Sequence, residues 1–244
     1  MVATAKSLLG VGLYSVSEAA LYARLPTRTF NRWVYGDTTG EQVIVPQLFD
    51  LESDDDKVVT FLDFVQALAI RRIRQERRVS LPKLREAYFR AKHEFRVPYP
   101  LALESTRIGL FGPPEDPTKQ EVFICIEKTE DAVRQYFQLT GKKYGNQLIG
   151  EVVTTYSRRL IYDVSGLATK YIAFKTDDGT ILMDPEIRFG EPYSEDTGYT
   201  ARTLFDAYQS EGSVDRAAEV YGVDPALVEL AVEYFDYLRP PSAA

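Results

Sequence analysis

The sequence predicts an α+β fold in three consecutive parts, and three observations carry that expectation. Residues 1–97 hold apolar residues at helical spacing, with capping residues between the runs. Residues 98–176 are punctuated by Pro98, Pro100, Pro113, Pro114 and Pro117 and contain β-leaning runs. Residues 177–244 return to helical spacing but carry only 4 Lys/Arg against 15 Asp/Glu. The expected units are therefore a helical one over 1–97, a β-rich connector over 98–176 and an acidic three-helix unit over 177–244. With 244 residues the chain is long enough to bury a core without disulfides or metals.

A capping box opens the first helix. Ser15-Val16-Ser17-Glu18 puts a hydroxyl at the cap and a carboxylate three residues on, each satisfying the other's backbone N–H. Ala19, Ala20, Tyr22 and Ala23 are its apolar members. Leu25-Pro26 ends it, because proline pushes the preceding residue out of helical space. Thr27 is expected to cap a second helix, Arg28 to Tyr35, closed by Gly36. On that helix Phe30, Trp33 and Val34 share one face, and Arg28, Asn31, Arg32 and Tyr35 share the other. Two short helices around a tight turn, the second with a basic polar face, form the helix-turn-helix pattern. Arg and Asn read guanine and adenine through paired hydrogen bonds in the major groove. Any amphipathic surface helix also turns its polar residues outward.

Gln42–Pro46 reads as a short strand, Asp50–Lys57 as an acidic loop and Val58–Thr60 as the returning strand, which together make a wing. The loop lacks the spacing and the glycine of a calcium loop. Residues 60–77 form a strong helix with Leu62, Val65, Ala69 and Ile73 in one stripe, beside Phe61, Phe64 and Leu68. Near its end Arg71, Arg74 and Arg78 share a face. They suit DNA phosphates, and they equally suit the negative end of a helix dipole. Ser80 caps a further helix to about Phe95, with Pro82 in its first turn.

In the connector, Val122–Glu127 reads as a buried strand holding Cys125, and Val152–Tyr156 and Leu160–Tyr162 lean to strand. Tyr171–Lys175 and Thr180–Met183 flank Asp177-Asp178-Gly179, a hairpin signal. A small antiparallel sheet is expected, with no recognisable chemistry. Beyond it, Thr200 to Gln209 places Ala201, Leu204, Phe205 and Tyr208 on one helix face. Ser213 caps a helix that Gly222 ends, and Asp224-Pro225 opens a third. This is a homeodomain-like arrangement, but Glu229, Glu233 and Asp236 on its third helix would repel phosphate. Partner capture or dimerisation suits it better.

Charge follows the same division. Residues 60–100 carry 10 basic and 4 acidic side chains, whereas 177–244 carry a net −11. A basic segment ahead of an acidic one implies one polyanion-facing task and one other. A chain lacking 184–244 is then expected to keep DNA binding and lose its partner. With one cysteine, Cys125, and one histidine, His93, no intrachain disulfide and no Cys2His2 zinc site can form. No phosphate loop or two-metal carboxylate set occurs, so catalysis and cofactors are not expected. No run is long and apolar enough for a membrane span. The stretch from Lys6 to Ala23 faintly suggests a signal peptide, but the capping box at Ser15 argues for a helix there, and a cytoplasmic protein is expected.

Two resemblances add to this reading. Tyr14 to Ala20, followed by Leu25-Pro26-Thr27-Arg28-Thr29-Phe30-Asn31-Arg32-Trp33, resembles the first helix-turn-helix of MerR-like winged domains. Ile181 to Pro192, with Gly198 and the helices from Thr200 to Tyr234, resembles the domain of unknown function 433. That family's I-x-G-x-P-x-x-x-G-T core stands here as Phe189-Gly190-Glu191-Pro192 with Thr197-Gly198, its last pair reversed. Joined in one chain, the two ends are similar to larger VapB-type antitoxins. The resemblance implies a PIN-type ribonuclease toxin as partner, bound and silenced, and repression of a shared operon. A basic side chain near the toxin's carboxylates is implied as well. Arg239 in Leu238-Arg239-Pro240-Pro241 is a candidate for it, against the alternative of a frayed terminus.

The expected architecture is thus an N-terminal winged helix-turn-helix, a small antiparallel β connector and a C-terminal three-helix homeodomain-like unit. Arg28, Asn31, Arg32 and Tyr35 are expected at base edges of double-stranded operator DNA. Arg71, Arg74 and Arg78 are expected at its phosphates. A homodimer suits a two-fold operator. The alternatives are a stand-alone MerR-like regulator sensing a ligand or partner, and an adaptor that does not bind DNA.

Overall fold

A computed structural model describes residues 8–36, 42–44, 57–104, 106–111, 116, 118–119, 121–128, 133–141 and 159–239. Strand β1 (Gly12–Ser15) runs directly into helix α1 (Val16–Tyr22). The expected capping box is formed: the Glu18 N–H donates to the Ser15 hydroxyl at 3.2 Å, and the Ser15 N–H donates to the Glu18 carboxylate at 2.8 Å. Helix α2 (Thr27–Tyr35) begins one residue earlier than expected. Pro26, not Thr27, stands at its cap, and no side chain caps it; the Pro26 carbonyl accepts from the N–H groups of Thr29 and Phe30.

The strand pair differs from the expected wing. Strand β2 (Val58–Thr60) forms, but its antiparallel partner is β1, with Tyr14 opposite Val59. Residues 42–44 are not a strand: the N–H groups of Val43 and Ile44 both donate to the Trp33 carbonyl, which folds this stretch back onto the end of α2. The rest of that expected strand and the acidic loop up to residue 56 lie outside the described residues, as do residues 152–156.

Helix α3 (Phe61–Arg77) is the centre of the molecule. Phe61, Leu62, Phe64, Val65, Ala67, Ala69 and Ile70 are all buried, and so are the polar Asp63 and Gln66. A helix buried on nearly every side is packed by several elements at once. At its start Thr60 is the cap: its hydroxyl accepts from the Asp63 N–H at 3.1 Å and donates to the Asp63 carboxylate at 2.8 Å. Burial pushes the Asp63 carboxyl up to about 6, against the Thr60 hydrogen bond and the Lys92 charge, which favour the anion. With its pKa above the unfolded value, the folded chain holds more protons between about pH 4 and 6, so stability falls as pH rises through that window. Asp63→Asn keeps the Thr60 contact and removes the charge. In urea unfolding, the wild type is expected to lose on the order of 2–3 kcal/mol relative to Asp63→Asn between about pH 4 and 7. Parallel pH profiles for the two chains would contradict this.

Helix α4 (Leu81–His93) follows, with Pro82 in its first turn as expected. Two antiparallel sheets then form where one was expected. The first has the order β3 (Thr106–Phe111), β4 (Glu121–Lys128), β5 (Val133–Gln138). The second is a meander of β6 (Leu160–Tyr162), β7 (Ala168–Lys175), β8 (Thr180–Met183) and β9 (Tyr193–Ser194). The expected hairpin at Asp177-Asp178-Gly179 joins β7 to β8, so the line drawn at residue 176 runs through a turn. Helices α5 (Ala201–Glu211), α6 (Val214–Tyr221) and α7 (Pro225–Leu238) complete the chain. Ser213 and Asp224 cap the second and third of them, and Gly222 sits at a left-handed φ of 64° between those two. Among the described residues no helix is long and apolar enough to cross a membrane.

The two ends of the sequence share one core. A single apolar cluster runs from Tyr14 to Leu238. The Phe64 ring lies 5.8 Å from Tyr14 on one side and 5.8 Å from Tyr171 of β7 on the other. The Tyr14 hydroxyl donates to the Gly190 carbonyl at 2.9 Å. Removing 184–244 would strip Leu204, Leu230, Ala231 and Tyr234, all buried, from that core. A chain ending at residue 183 is therefore expected to lose cooperative unfolding, in place of the separable DNA-binding fragment that charge alone suggests. A sharp thermal transition in that fragment would contradict the shared core.

Candidate nucleic-acid interface

Helices α1 and α2 are held at a fixed angle by a short connection, residues 23–26. The N–H groups of Ala23, Arg24 and Leu25 donate to the carbonyls of Ala19, Leu21 and Ala20. Arg24 takes a left-handed φ of 50° to make the bend. Ala19, Ala20 and Ala23 are fully buried, and small side chains there let the two helices approach closely. Phe30, Trp33 and Val34 anchor α2 inward, as the sequence pattern predicts.

That anchoring leaves Arg28 and Arg32 exposed, one turn apart on the outer face, with Asn31 half-buried beside them. Neither arginine forms an ion pair with a described residue. Arg74 of α3 joins this face. Its guanidinium donates to the Val79 carbonyl at 3.3 Å, and burial together with the neighbouring Arg32 charge holds it below its usual value. Arg78 is exposed at the left-handed end of α3, φ 54°. The outward set is thus Arg28, Asn31, Arg32, Arg74 and Arg78.

Two expected members turn inward. Tyr35 is half-buried, and its hydroxyl donates to the Val58 carbonyl, tying the last turn of α2 to β2. Burial, aided by Asp63, pushes its phenol up to about 12, so it stays protonated in that bond. Arg71 donates to the Ala23 carbonyl at 3.0 Å, closing the connection between α1 and α2 from behind. Both positions are polar on their helix wheels, but Tyr35 ends α2 against β2, and α3, which carries Arg71, is covered on nearly every side. Its polar groups therefore find backbone carbonyls within the fold. Arg239 stands apart at the end of α7, in an exposed ion pair with Asp236 at 3.1 Å. Such a pair contributes little to stability. No cluster of His, Cys, Asp or Glu among the described residues could hold a metal ion.

The segment Ile181–Pro192 has a structural task that the sequence did not reveal. Asp184, buried at the end of β8, accepts from the Glu186 N–H at 2.9 Å and pairs with Lys170 at 3.0 Å. The chain then passes through Arg188, Phe189 and Gly190, all at positive φ, and delivers the Gly190 carbonyl to Tyr14. The Arg188 guanidinium steadies this bend by donating to the Gly198 carbonyl at 3.0 Å. Arg24 and Arg159 also escaped notice in the sequence, because their significance lies in proximity across elements and in a left-handed turn.

Mixed helices and antiparallel sheets define the chain as α+β. Comparison with protein-family models matches no family, and comparison with curated proteins finds no match. Among solved structures, the X-ray crystal structure of Rv2018 from Mycobacterium tuberculosis is similar, with a TM-score of 0.60 at 16% identity. The match covers 91% of this chain and 98% of that one. At that identity the likeness shows a shared fold alone.

Proposed function

We propose that this chain is a DNA-binding antitoxin. It binds and neutralises a PIN-type ribonuclease toxin, and as a cytoplasmic homodimer it binds operator DNA to repress its own transcription. The observation that carries the DNA-binding half is the outer face of α2. Arg28 and Arg32 stand exposed and without described ion partners on the second of two short helices joined by a tight turn, with Arg74 beside them. This supports reading α1 and α2 as a helix-turn-helix whose second helix enters the major groove. Arg74 and Arg78 then reach the flanking phosphates. The toxin-binding half rests on the resemblance of Ile181–Pro192 and the helices beyond it, and Arg239 remains the candidate contact with the toxin's acidic centre.

DNA from upstream of the chain's own reading frame tests this proposal. Specific binding is expected at least ~10³-fold tighter than to random DNA at physiological salt. Its logarithm should fall linearly with the logarithm of salt concentration. Equal affinity for both DNAs would sink the proposal. A second reading, a stand-alone MerR-like regulator that senses a ligand, is favoured by one observation: an arginine-lined cavity behind α3.

A further inference from the structure

That cavity has a volume of about 310 Å³ and lies between α3, the β6–β7 hairpin and α7. Leu68 and its apolar neighbours on α3 form one wall, and Arg71, Arg72 and Arg159 with the rings of Tyr171 and Tyr237 line much of the remainder, beside Gln75 and Leu160. Among the described residues that line it, none is acidic. Arg24 stacks on Tyr237 of this lining, its guanidinium 4.0 Å from the centre of the ring.

Like charges crowd here and are answered only in part: burial lowers the Arg159 guanidinium, but Tyr171 and Tyr237 beside it outweigh that and hold it above its usual value. Burial, with the like charges of Arg24 and Arg159, holds the Arg71 guanidinium below its usual value. The Nε atoms of Arg24 and Arg71 are both buried without a hydrogen-bond partner. Tyr237 answers part of the charge: burial raises its phenol, but the Arg24 and Arg159 guanidinia beside it outweigh that and hold it below its usual value. Buried N–H donors without acceptors are costly, and so are like charges crowded beside a lining that has no acidic side chain among the described residues. Guanidinium groups satisfy both needs at once by binding a carboxylate or phosphate through paired hydrogen bonds. The volume is at the lower end for small-molecule sites, and an apolar wall beside convergent polar groups is their usual lining.

We propose that this cavity binds a small organic oxyanion, a carboxylate or phosphate on a short apolar body, held by Arg71 and Arg159 against the Leu68 wall. The site joins α3 to β7 and α7, and it stands whether or not the chain binds DNA.

The test is calorimetric titration of the full chain with benzoate, phenyl phosphate, inorganic phosphate and chloride at constant ionic strength. Saturable binding of benzoate or phenyl phosphate with a Kd below ~1 mM is expected, with none for chloride. The better of the two identifies the headgroup, and weaker binding of inorganic phosphate reports the apolar wall. Arg159→Gln is expected to weaken binding about tenfold or more. Because Arg159 also donates to the Ala173 carbonyl at 3.4 Å, a second measurement uses the wild-type chain. Phenylglyoxal labelling read by mass spectrometry should show Arg71 and Arg159 protected by the ligand, and Arg28 and Arg32 unprotected. No saturable binding by either organic anion, or binding that leaves the labelling of Arg71 and Arg159 unchanged, would overturn the proposal.

Discussion

A chain in which Arg28 and Arg32 are both alanine is expected to lose about 2–6 kcal/mol of operator affinity, at about 1–3 kcal/mol for each paired contact to a base. The two side chains are exposed one turn apart on α2, and the face beneath them, Phe30, Trp33 and Val34, is what holds the helix in place. Truncating them therefore leaves the fold untouched, and the thermal midpoint should move little. Arg74→Ala, in contrast, would on the proposed reading remove a phosphate contact, and it is expected to weaken all DNAs alike while lowering the salt slope by about one. A fluorescence titration against operator and random DNA separates the two effects. If the double variant still discriminated between them as the wild type does, α2 would not be the reading helix.

Gly190→Ala is expected to be strongly destabilising. Gly190 holds a φ of 80°, and a Cβ there would lie 2.2 Å from the Tyr14 hydroxyl oxygen and 2.9 Å from the ring carbon that bears it. Tyr14 cannot retreat: it is 2% exposed, with Tyr22 packed edge-on at 6.3 Å and Phe64 at 5.8 Å. Its phenol, raised by burial, needs the Gly190 carbonyl as acceptor. Left-handed strain, overpacking and a stranded buried hydroxyl together amount to about 3–5 kcal/mol. In a chain of this size that lowers the melting temperature by roughly 10 °C. Tyr14→Phe alone should cost about 1–2 kcal/mol, and the double variant should fall short of the sum, since the clash loses its oxygen. A Gly190→Ala chain that melts with the wild type would dismiss this junction as the tie between the two ends.

Local chemistry made much of the helical framework readable. Ser15, Ser213 and Asp224 act on backbone groups two or three residues away, so their caps were evident from spacing alone. Pairing between distant segments was not. Strand β2 was foreseen but given the wrong partner, because Gly12–Ser15 reads as an apolar stretch and nothing local says that it meets Val58–Thr60. Strands β3 and β5 went unseen for the same reason, each defined by its register with β4. In the candidate interface, Arg28 and Arg32 were readable because α2 has one buried face. Arg71 was misjudged because a helical wheel cannot tell how many sides of α3 are covered. The grouping of Arg24, Arg71 and Arg159 depends on three elements meeting, and no spacing rule encodes it.

Co-expression with the neighbouring reading frame tests the antitoxin reading most directly, scored by growth and by co-purification. The expected result is a neighbour that arrests growth alone, is tolerated with this chain, and is captured in a stable complex with it. A neighbour that is harmless alone and forms no complex would contradict the antitoxin reading.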